Sequence, residues 1–207
     1  MDQAKAYWQK NHSQTARIIP EGGEQDHRYK LAREILALKP ESVFEFGCAS
    51  GRNLRVLHDT WAASPETESL RLVGLDMNLA SLGGGRSAHP MVGFLEGDER
   101  LLAHMVAAGE PLYDVAFAVS VLDHVPYPEW QKIYDNLKKI ARRAVFLLEP
   151  VRDAGRLEAE VEDAPPFTWY HDYVGYDRKL KLVRQLPIDH THYSMGEEYF
   201  LMRRDLE

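Results

Sequence analysis

The chain has 207 residues, of which 44% are hydrophobic and 28% charged, with a single cysteine and a formal net charge of -7 at pH 7. This composition is typical of a soluble globular protein and excludes a disordered or disulfide-rich chain. The negative charge argues against duplex nucleic acid as a partner, because phosphate binding depends on clustered Lys and Arg. No run approaches the roughly 20 apolar residues of a membrane span and no signal peptide is evident, so we expect a cytoplasmic protein.

The first elements in chain order are two predicted helices, at residues 3–10 and 26–38. From residue 41 onward, short apolar runs alternate with helical patterns, which predicts a parallel sheet covered by helices. The runs are nearly continuous rather than alternating, so we expect strands that are buried on both faces. These five predicted strands are SVFEF (42–46), LRLVGLD (70–76), MVGFLEGD (91–98), YDVAFAVS (113–120) and AVFLLEP (144–150).

The helical patterns between these strands lie at residues 51–61, 78–86, 99–108 and 127–141. The Gly83-Gly84-Gly85 triplet is expected to end its helix early or to replace part of it with a loop. After Pro150, an acidic stretch containing APPF is not expected to form one regular element throughout. Two further strands are predicted at 180–188 and 198–204, and the loop between them is short enough to favour an antiparallel pair.

The stretch VFEFGCASGRNL carries a carboxylate, Glu45, and two glycines at the end of the first strand. Gly47 and Gly51 allow a sharp turn and a close approach of a ligand to the backbone. The dinucleotide fingerprint would need glycine at Ala49 and Arg52, and a phosphate loop would need Gly-Lys at Arg52-Asn53. Neither pattern is present, which disfavours a nicotinamide-dependent oxidoreductase.

Further polar residues follow the other predicted strands. In a doubly wound sheet, ligands bind outside the carboxyl ends of the strands, so these residues are the candidates for a site. They are Glu45, Asp76, Asp98, the segment 120–124 and Glu149.

Four segments together resemble the motifs of class I S-adenosylmethionine-dependent methyltransferases, in order and at normal spacing over residues 40–150. Glu45, Gly47 and Gly51 match the first motif, with Ala49 in place of its middle glycine. LVGLDMN and LEGDERL resemble the second and third motifs, and YDVAFAVSVLDHVP resembles the fourth, with Asp114 opening the strand.

The resemblance implies a Rossmann-like α/β fold, a doubly wound, mostly parallel seven-stranded sheet with an antiparallel last strand and helices on both faces. It also implies S-adenosylmethionine as cofactor, which becomes S-adenosylhomocysteine. Asp76 would accept the ribose hydroxyls, Met77 would pack on adenine, and Asp98 would hold the adenine amine. The remaining cofactor-binding candidates are Glu45, Gly47, Cys48, Gly51, Asn53, Glu99 and Ser120. Such a cofactor offers hydrogen-bond donors and positive charge but no phosphate, which suits carboxylates.

Two histidines are candidates for a catalytic general base, because His is the side chain whose ordinary pKa suits proton transfer near neutral pH. His124 follows the fourth strand, where it either acts as a base or only shapes the pocket. His171 lies in the aromatic segment FTWYHDY, which forms either a pocket wall over the cleft or a hydrophobic plug on the sheet.

Four residues are candidates for contacts with an acceptor substrate: Tyr29, Trp169, Tyr170 and Asp172. The N-terminal segment with Tyr7 and Trp8 forms either a lid over the site or an ordinary capping helix. His190 and His192 have the spacing of metal ligands, but without a clear third ligand we expect no metal site.

The sequence is interpreted as one domain, with a helical cap at 1–40, a cofactor-binding core at 41–150, and an aromatic insertion with a β-hairpin at 151–207. We expect methyl transfer to an oxygen or nitrogen of a small-molecule acceptor. A non-catalytic or regulatory binder of the cofactor is the main alternative. The sequence leaves the acceptor and the oligomeric state open.

Overall fold

The computed structural model describes residues 2–11, 27–63, 69–109, 111–150, 167–187 and 198–206. Within these ranges, no helix is both long and apolar enough to cross a membrane. The predicted acidic stretch after Pro150 and the loop that carries His190 and His192 lie outside the described residues.

Seven helices and seven strands are described. The helices are α1 (Asp2–Asn11), α2 (His27–Leu36), α3 (Arg52–Ala63), α4 (Leu79–Ala88), α5 (Glu99–Ala107), α6 (Glu129–Ile140) and α7 (Tyr173–Tyr176). The strands are β1 (Ser42–Phe46), β2 (Arg71–Asp76), β3 (Val92–Glu96), β4 (Tyr113–Val119), β5 (Ala141–Pro150), β6 (Lys181–Pro187) and β7 (Glu198–Asp205). A short 3₁₀ turn spans Leu122–His124.

The strands form one sheet with the order β3-β2-β1-β4-β5-β7-β6. The pairs among β1 to β5 are parallel, whereas β7 runs antiparallel to both β5 and β6. The predicted α/β fold with a mostly parallel seven-stranded sheet is therefore confirmed. The strand order reverses between β1 and β4, and this is the point at which open α/β sheets bind ligands.

The core consists of two apolar layers, one on each face of the sheet. Neighbouring residues of β1 point to opposite layers, so that Val43 packs with α2 and α3 while Phe44 packs with α6. β1 is buried along its whole length, as its continuous apolar run predicts. β3 is half exposed because it lies at the edge of the sheet, which contradicts the expectation of burial on both faces.

The glycine triplet does not interrupt α4, so the expectation of an early end or a loop is wrong. The helix runs from Leu79 to Ala88, and the Asn78 side chain caps it by accepting a hydrogen bond from Ser81 N at 2.9 Å. Gly85 permits close packing, because a Cβ there would lie 2.7 Å from the main-chain oxygen of Ser50. The packing of the helix against the glycine turn outweighs the low helix propensity of glycine.

Candidate functional site

The turn after β1 is held against the end of β2. The main-chain nitrogens of Gly47 and Cys48 donate to the oxygen of Leu75 at 2.8 and 3.1 Å. Gly47 has a φ of 72°, and a Cβ at this position would lie 2.3 Å from Cγ2 of Val121. Glycine is therefore required at this position, both by the backbone conformation and by the space available.

Ala49 has a φ of 46°, in the left-handed region that favours glycine. Its main-chain nitrogen donates to Oδ2 of Asp76 at 2.8 Å, and Oδ1 of the same carboxylate accepts from Asn78 N at 2.7 Å. The two bonds fix the Asp76 carboxylate at the end of β2, and the bond from Ala49 N holds Ala49 in its left-handed conformation. This explains how alanine replaces the middle glycine of the motif.

A cleft opens beside this turn and spans about 740 Å³ of space, a volume that includes open solvent at its mouth. Its wall is largely apolar, with Phe46, Leu75, Val121, Val125 and Ile133. Seven residues that the sequence analysis proposed for the site also line the cleft: Gly47, Asp76, Met77, Asp98, Glu99, Ser120 and His124. The ends of β1, β2 and β4 and the start of α5 thus bring these residues to one hollow.

Four of the proposed cofactor-binding residues lie behind the turn rather than on the cleft wall: Glu45, Cys48, Gly51 and Asn53. Glu45 is 1% exposed and accepts a 2.6 Å hydrogen bond from Nδ2 of Asn53. Burial raises the pKa of Glu45 to about 8; the Asn53 bond opposes this increase, and the nearby Asp76 adds to it. Glu45 is therefore largely protonated at neutral pH and supports the turn from below.

Cys48 is 3% exposed and fills the space above Gly74, where a Cβ would lie 2.5 Å from its sulfur. Burial raises the pKa of the thiol well above its ordinary value, and the nearby carboxyls of Glu45 and Asp76 add to this effect. The side chain is thus a neutral packing element of the turn.

Asp98 caps α5 by accepting from Arg100 N at 2.9 Å, and its Oδ2 accepts from Nζ of Lys5 at 2.7 Å. Lys5 also donates to Oε1 of Glu99 at 2.5 Å. Burial raises the pKa of Asp98, but the hydrogen bonds from Lys5 and Arg100 outweigh it, and the net effect is a lowered pKa. For Lys5, burial lowers the pKa, but the two carboxylates outweigh it and the net pKa is raised.

Lys5 belongs to α1, which lies across the cleft and contributes Ala4, Lys5 and Trp8 to its lining. The Trp8 ring lies over the His124 ring at a centroid distance of 4.0 Å. Nδ2 of Asn78 donates to the main-chain oxygens of Trp8 and Gln9 at 3.1 and 2.8 Å. Of the two interpretations of the N-terminal segment, this arrangement favours a lid.

His124 is 9% exposed, and its Nδ1 lies 3.2 Å from the main-chain oxygen of Phe167. Because a carbonyl only accepts hydrogen bonds, this contact places a proton on Nδ1 and leaves Nε2 as the nitrogen for proton transfer. Nε2 lies 3.9 Å from Oδ2 of Asp123, which is buried. His124 is thus the predicted base that the fold brings to the cleft.

Glu149 is fully buried beneath the 3₁₀ turn that carries His124. Its carboxylate accepts from the main-chain nitrogens of Val121 and Leu122 at 3.2 Å each and from Asp123 at 3.4 Å. Burial raises the pKa of Glu149, as does the nearby Asp123, while the three N–H bonds oppose the increase. Glu149 therefore shapes the turn that presents His124 without lining the cleft.

His171 does not lie on the cleft wall, which goes against its predicted role as a base. It is fully buried, and its Nε2 lies 3.0 Å from the oxygen of Leu122 and 2.9 Å from that of Val125. Its ring stacks on Trp130 at a centroid distance of 4.9 Å. His171 therefore ties the aromatic segment to the 3₁₀ turn.

The predicted acceptor contacts also lie away from the cleft wall. Tyr170 is buried. The main-chain nitrogen of Trp169 donates to the main-chain oxygen of Asp123 at 2.7 Å. Asp172 caps α7 by accepting from the main-chain nitrogen of Gly175 at 2.7 Å. Tyr29 packs against the core layer on the α2 side. These positions favour the hydrophobic plug over the pocket wall.

Two residues that shape the site, Lys5 and Asn78, were not predicted from the sequence. Ala4, Lys5 and Trp8 lie on one face of a short helix, and this spacing indicates that the face packs against another part of the chain. The spacing does not identify that part. Asn78 directly follows the Asp76-Met77 pair of the second motif, and an Asn at that position before a helix is a recognisable cap.

The comparisons with known proteins found no match among protein-family models. A trans-aconitate 2-methyltransferase from Rhodopseudomonas palustris (strain BisB5) is 29% identical over 143 residues, which cover 67% of this chain and 47% of that protein. The chain thus spans about half the length of this relative.

Solved structures resemble the chain over nearly its whole length. Magnesium protoporphyrin IX methyltransferase from Synechocystis PCC 6803 with bound S-adenosylmethionine has a TM-score of 0.63 at 16% identity and covers 98% of this chain and 96% of its own. The N-terminal domain of EvdMO1, in the presence of S-adenosylhomocysteine and D-fucose, has a TM-score of 0.65 at 13% identity, covering 100% and 98%. The chain has the fold of the class I S-adenosylmethionine-dependent methyltransferases. The predicted resemblance is thereby confirmed.

Proposed function

We propose that this methyltransferase-fold protein binds S-adenosylmethionine in the cleft and transfers its methyl group to an oxygen or nitrogen of a small molecule. The observation that carries the proposal is that the Asp76 and Asp98 carboxylates line the same hollow as the Gly47 turn. A nucleoside with hydrogen-bond donors and a positive charge fits carboxylates, whereas a phosphate-bearing ligand does not.

The residues on the cleft wall suit the parts of this cofactor. Asp76, fixed by its two main-chain bonds, would accept the ribose hydroxyls, and Asp98 would accept the adenine amine while Met77 packs on the ring. The Gly47 turn has no Cβ and would let the methionine part approach the backbone. When bound, the cofactor would supply a methyl group on a sulfonium, with a neutral sulfide as the leaving group.

The chain's own part in such a reaction is to hold the acceptor in line and to exclude water. α1 would serve both purposes, since Trp8 covers the cleft on the side of His124. Where the acceptor is a hydroxyl, Nε2 of His124 would take its proton; this nitrogen lies 3.9 Å from Oδ2 of Asp123.

A small acceptor is supported by the proteins that this chain resembles. They include a trans-aconitate methyltransferase, a magnesium protoporphyrin IX methyltransferase and a domain crystallised in the presence of D-fucose, and all three compounds are small molecules. The apolar wall formed by Val121, Val125 and Ile133 is a suitable surface for a compact organic acceptor.

The test has two stages. Calorimetry with S-adenosylhomocysteine and, separately, with NADH should show binding of the first and not of the second, which would set the proposal apart from an oxidoreductase. Transfer of a labelled methyl group to a panel of hydroxyl, amine and carboxylate acceptors would then show catalysis. Tight binding without transfer to any member would instead favour a non-catalytic binder.

A further inference from the structure

Lys5 is the only lysine or arginine among the described residues that line the cleft. Its ammonium joins the carboxylates of Asp98 and Glu99, and the exposed fractions of the side chains are 14% for Lys5 and 25% for each acid. At this degree of burial, water and salt screen the attraction less than at an open surface. The ion pairs thus fasten α1 to the start of α5.

Asp98 is also the residue that the proposed function assigns to the adenine amine. Oδ1 of Asp98 already accepts from Arg100 N, and Oδ2 accepts from Lys5. An amine that arrives from a nucleoside must therefore share or replace the Lys5 contact. Both donors present N–H groups to Oδ2 of Asp98, so the amine and the Lys5 ammonium compete for this oxygen.

The rest of α1 is anchored on other parts of the cleft. Trp8 lies over His124 beyond the end of β4, and Asn78 holds the main-chain oxygens of Trp8 and Gln9 beside the end of β2. Lys5 is the contact on the side of α5. Release of Lys5 therefore frees one side of the lid while the Asn78 bonds keep the helix attached.

We propose that Lys5 is an internal competitor of the cofactor, and that entry of the nucleoside transfers Asp98 from the Lys5 ammonium to the adenine amine and loosens α1 on the side of α5. This inference rests on the proposed function of the cleft. It assigns to Lys5 a restraining role in cofactor binding, in contrast to the supporting roles of Asp76 and Asp98.

The test is calorimetry of S-adenosylhomocysteine binding to the wild type and to Lys5→Met. We expect Lys5→Met to bind about fivefold more tightly, because no ion pairs need to be broken and two uncompensated carboxylates await a donor. Lys10→Met is the matched control, since it removes the same charge from an exposed position of the same helix, and it should bind like the wild type. An unchanged or weaker affinity in Lys5→Met would overturn the inference.

Lys5→Arg provides a second variant that keeps the charge and the hydrogen-bond donors. Its affinity for S-adenosylhomocysteine should lie within about twofold of that of the wild type. A fivefold gain in affinity in Lys5→Arg as well would show that loss of the charge is not the cause, and it would overturn the inference. Failure of the wild type to bind S-adenosylhomocysteine would instead contradict the proposed function. Thermal unfolding of each variant verifies that all are folded.

Discussion

At the scale of single residues, Asp76 is the side chain on which cofactor binding should depend most. We expect Asp76→Ala to weaken S-adenosylhomocysteine binding by about 1–3 kcal/mol, because charge-assisted hydrogen bonds are lost. Calorimetry measures the change, and unfolding curves show whether the loss of the bonds from Ala49 and Asn78 also affects stability. Asp59→Ala, a half-exposed acid on α3, should bind normally. Equal affinities of both variants would count against the assignment of Asp76.

Glu45 should give the stability of the protein a pH dependence of its own. The folded state keeps the proton up to a pKa of about 8, whereas an ordinary Glu has a pKa of 4.5. Folding therefore takes up a proton between these values, and the contribution of Glu45 to stability falls as the pH rises through this window.

Glu45→Gln cannot ionise and lacks this contribution. We expect its free energy of unfolding relative to the wild type to rise between pH 5 and pH 8, by at most about 1.4 kcal/mol per pH unit. Denaturant unfolding at several pH values measures the difference. A constant difference across the range would mean that Glu45 is charged in the folded state.

Single residues also show what sequence can and cannot predict about the site. Asp76 and Asp98 were predictable because each follows an apolar strand, and the carboxyl ends of parallel strands meet at one edge. Lys5 was not, since its partners lie 93 and 94 residues away and no local pattern connects them. His171 was predicted as a base because its aromatic neighbours fit a pocket wall as well as they fit a plug.

At the scale of elements, the glycines of α4 offer a matched pair. A Cβ on Gly84 would meet nothing within 4 Å, whereas a Cβ on Gly85 would lie 2.7 Å from the Ser50 oxygen and 2.8 Å from the Phe94 ring. We expect Gly84→Ala to stabilise the protein by up to about 1 kcal/mol, because alanine is the better helix former.

Gly85→Ala should instead destabilise the protein and weaken S-adenosylhomocysteine binding, because α4 must move away from the glycine turn. Thermal unfolding and calorimetry on the two variants measure both effects. If Gly85→Ala were as stable as Gly84→Ala, the close packing of α4 on the turn would not constrain the fold.

The elements were predictable where hydrophobic periodicity was strong. β1 has the predicted bounds, and α6 carries Trp130, Ile133 and Tyr134 on its buried face as its spacing indicates. α4 was predicted to break because the helix propensity of glycine is low at any position in a helix. The contact of Gly85 with Ser50 is tertiary, and local sequence does not contain it.

At the scale of the whole molecule, Asp114 joins three parts of the chain at the end of the sheet that lies away from the cleft. Its carboxylate accepts from the main-chain nitrogens of Glu41 and Ser42 at 2.8 and 3.0 Å and from Arg142. Burial raises the pKa of Asp114, but these bonds outweigh it and the net pKa is lowered. Its contribution to stability is therefore present at neutral pH and is lost as the pH falls through the folded pKa.

Asp114→Asn should lower the free energy of unfolding at pH 7 by about 1–3 kcal/mol and flatten its decline in acid. Denaturant unfolding of the variant and the wild type at pH 7 and at pH 3 measures the loss of stability and its dependence on pH. Asp59→Asn serves as the control, with little expected change. A variant that kept the full acid dependence of the wild type would contradict this role for Asp114.

General rules limit the possible order of the strands. Alternating strands and helices predict parallel neighbours with right-handed crossovers, which leaves few arrangements for β1 to β5. The short connection between the last two strands predicts their antiparallel pairing. Their placement beside β5 was not predicted, because a strand of this composition fits either edge of the sheet.

The proposed function requires that the carboxylates at the strand ends surround a nucleoside that carries its positive charge on sulfur. A crystal structure with S-adenosylhomocysteine is the decisive measurement. We expect ribose hydroxyls at Asp76, the adenine amine at Asp98 and the amino-acid part against Gly47. A nucleoside bound outside this cleft, or a phosphate-bearing ligand retained within it, would rule the proposed function out.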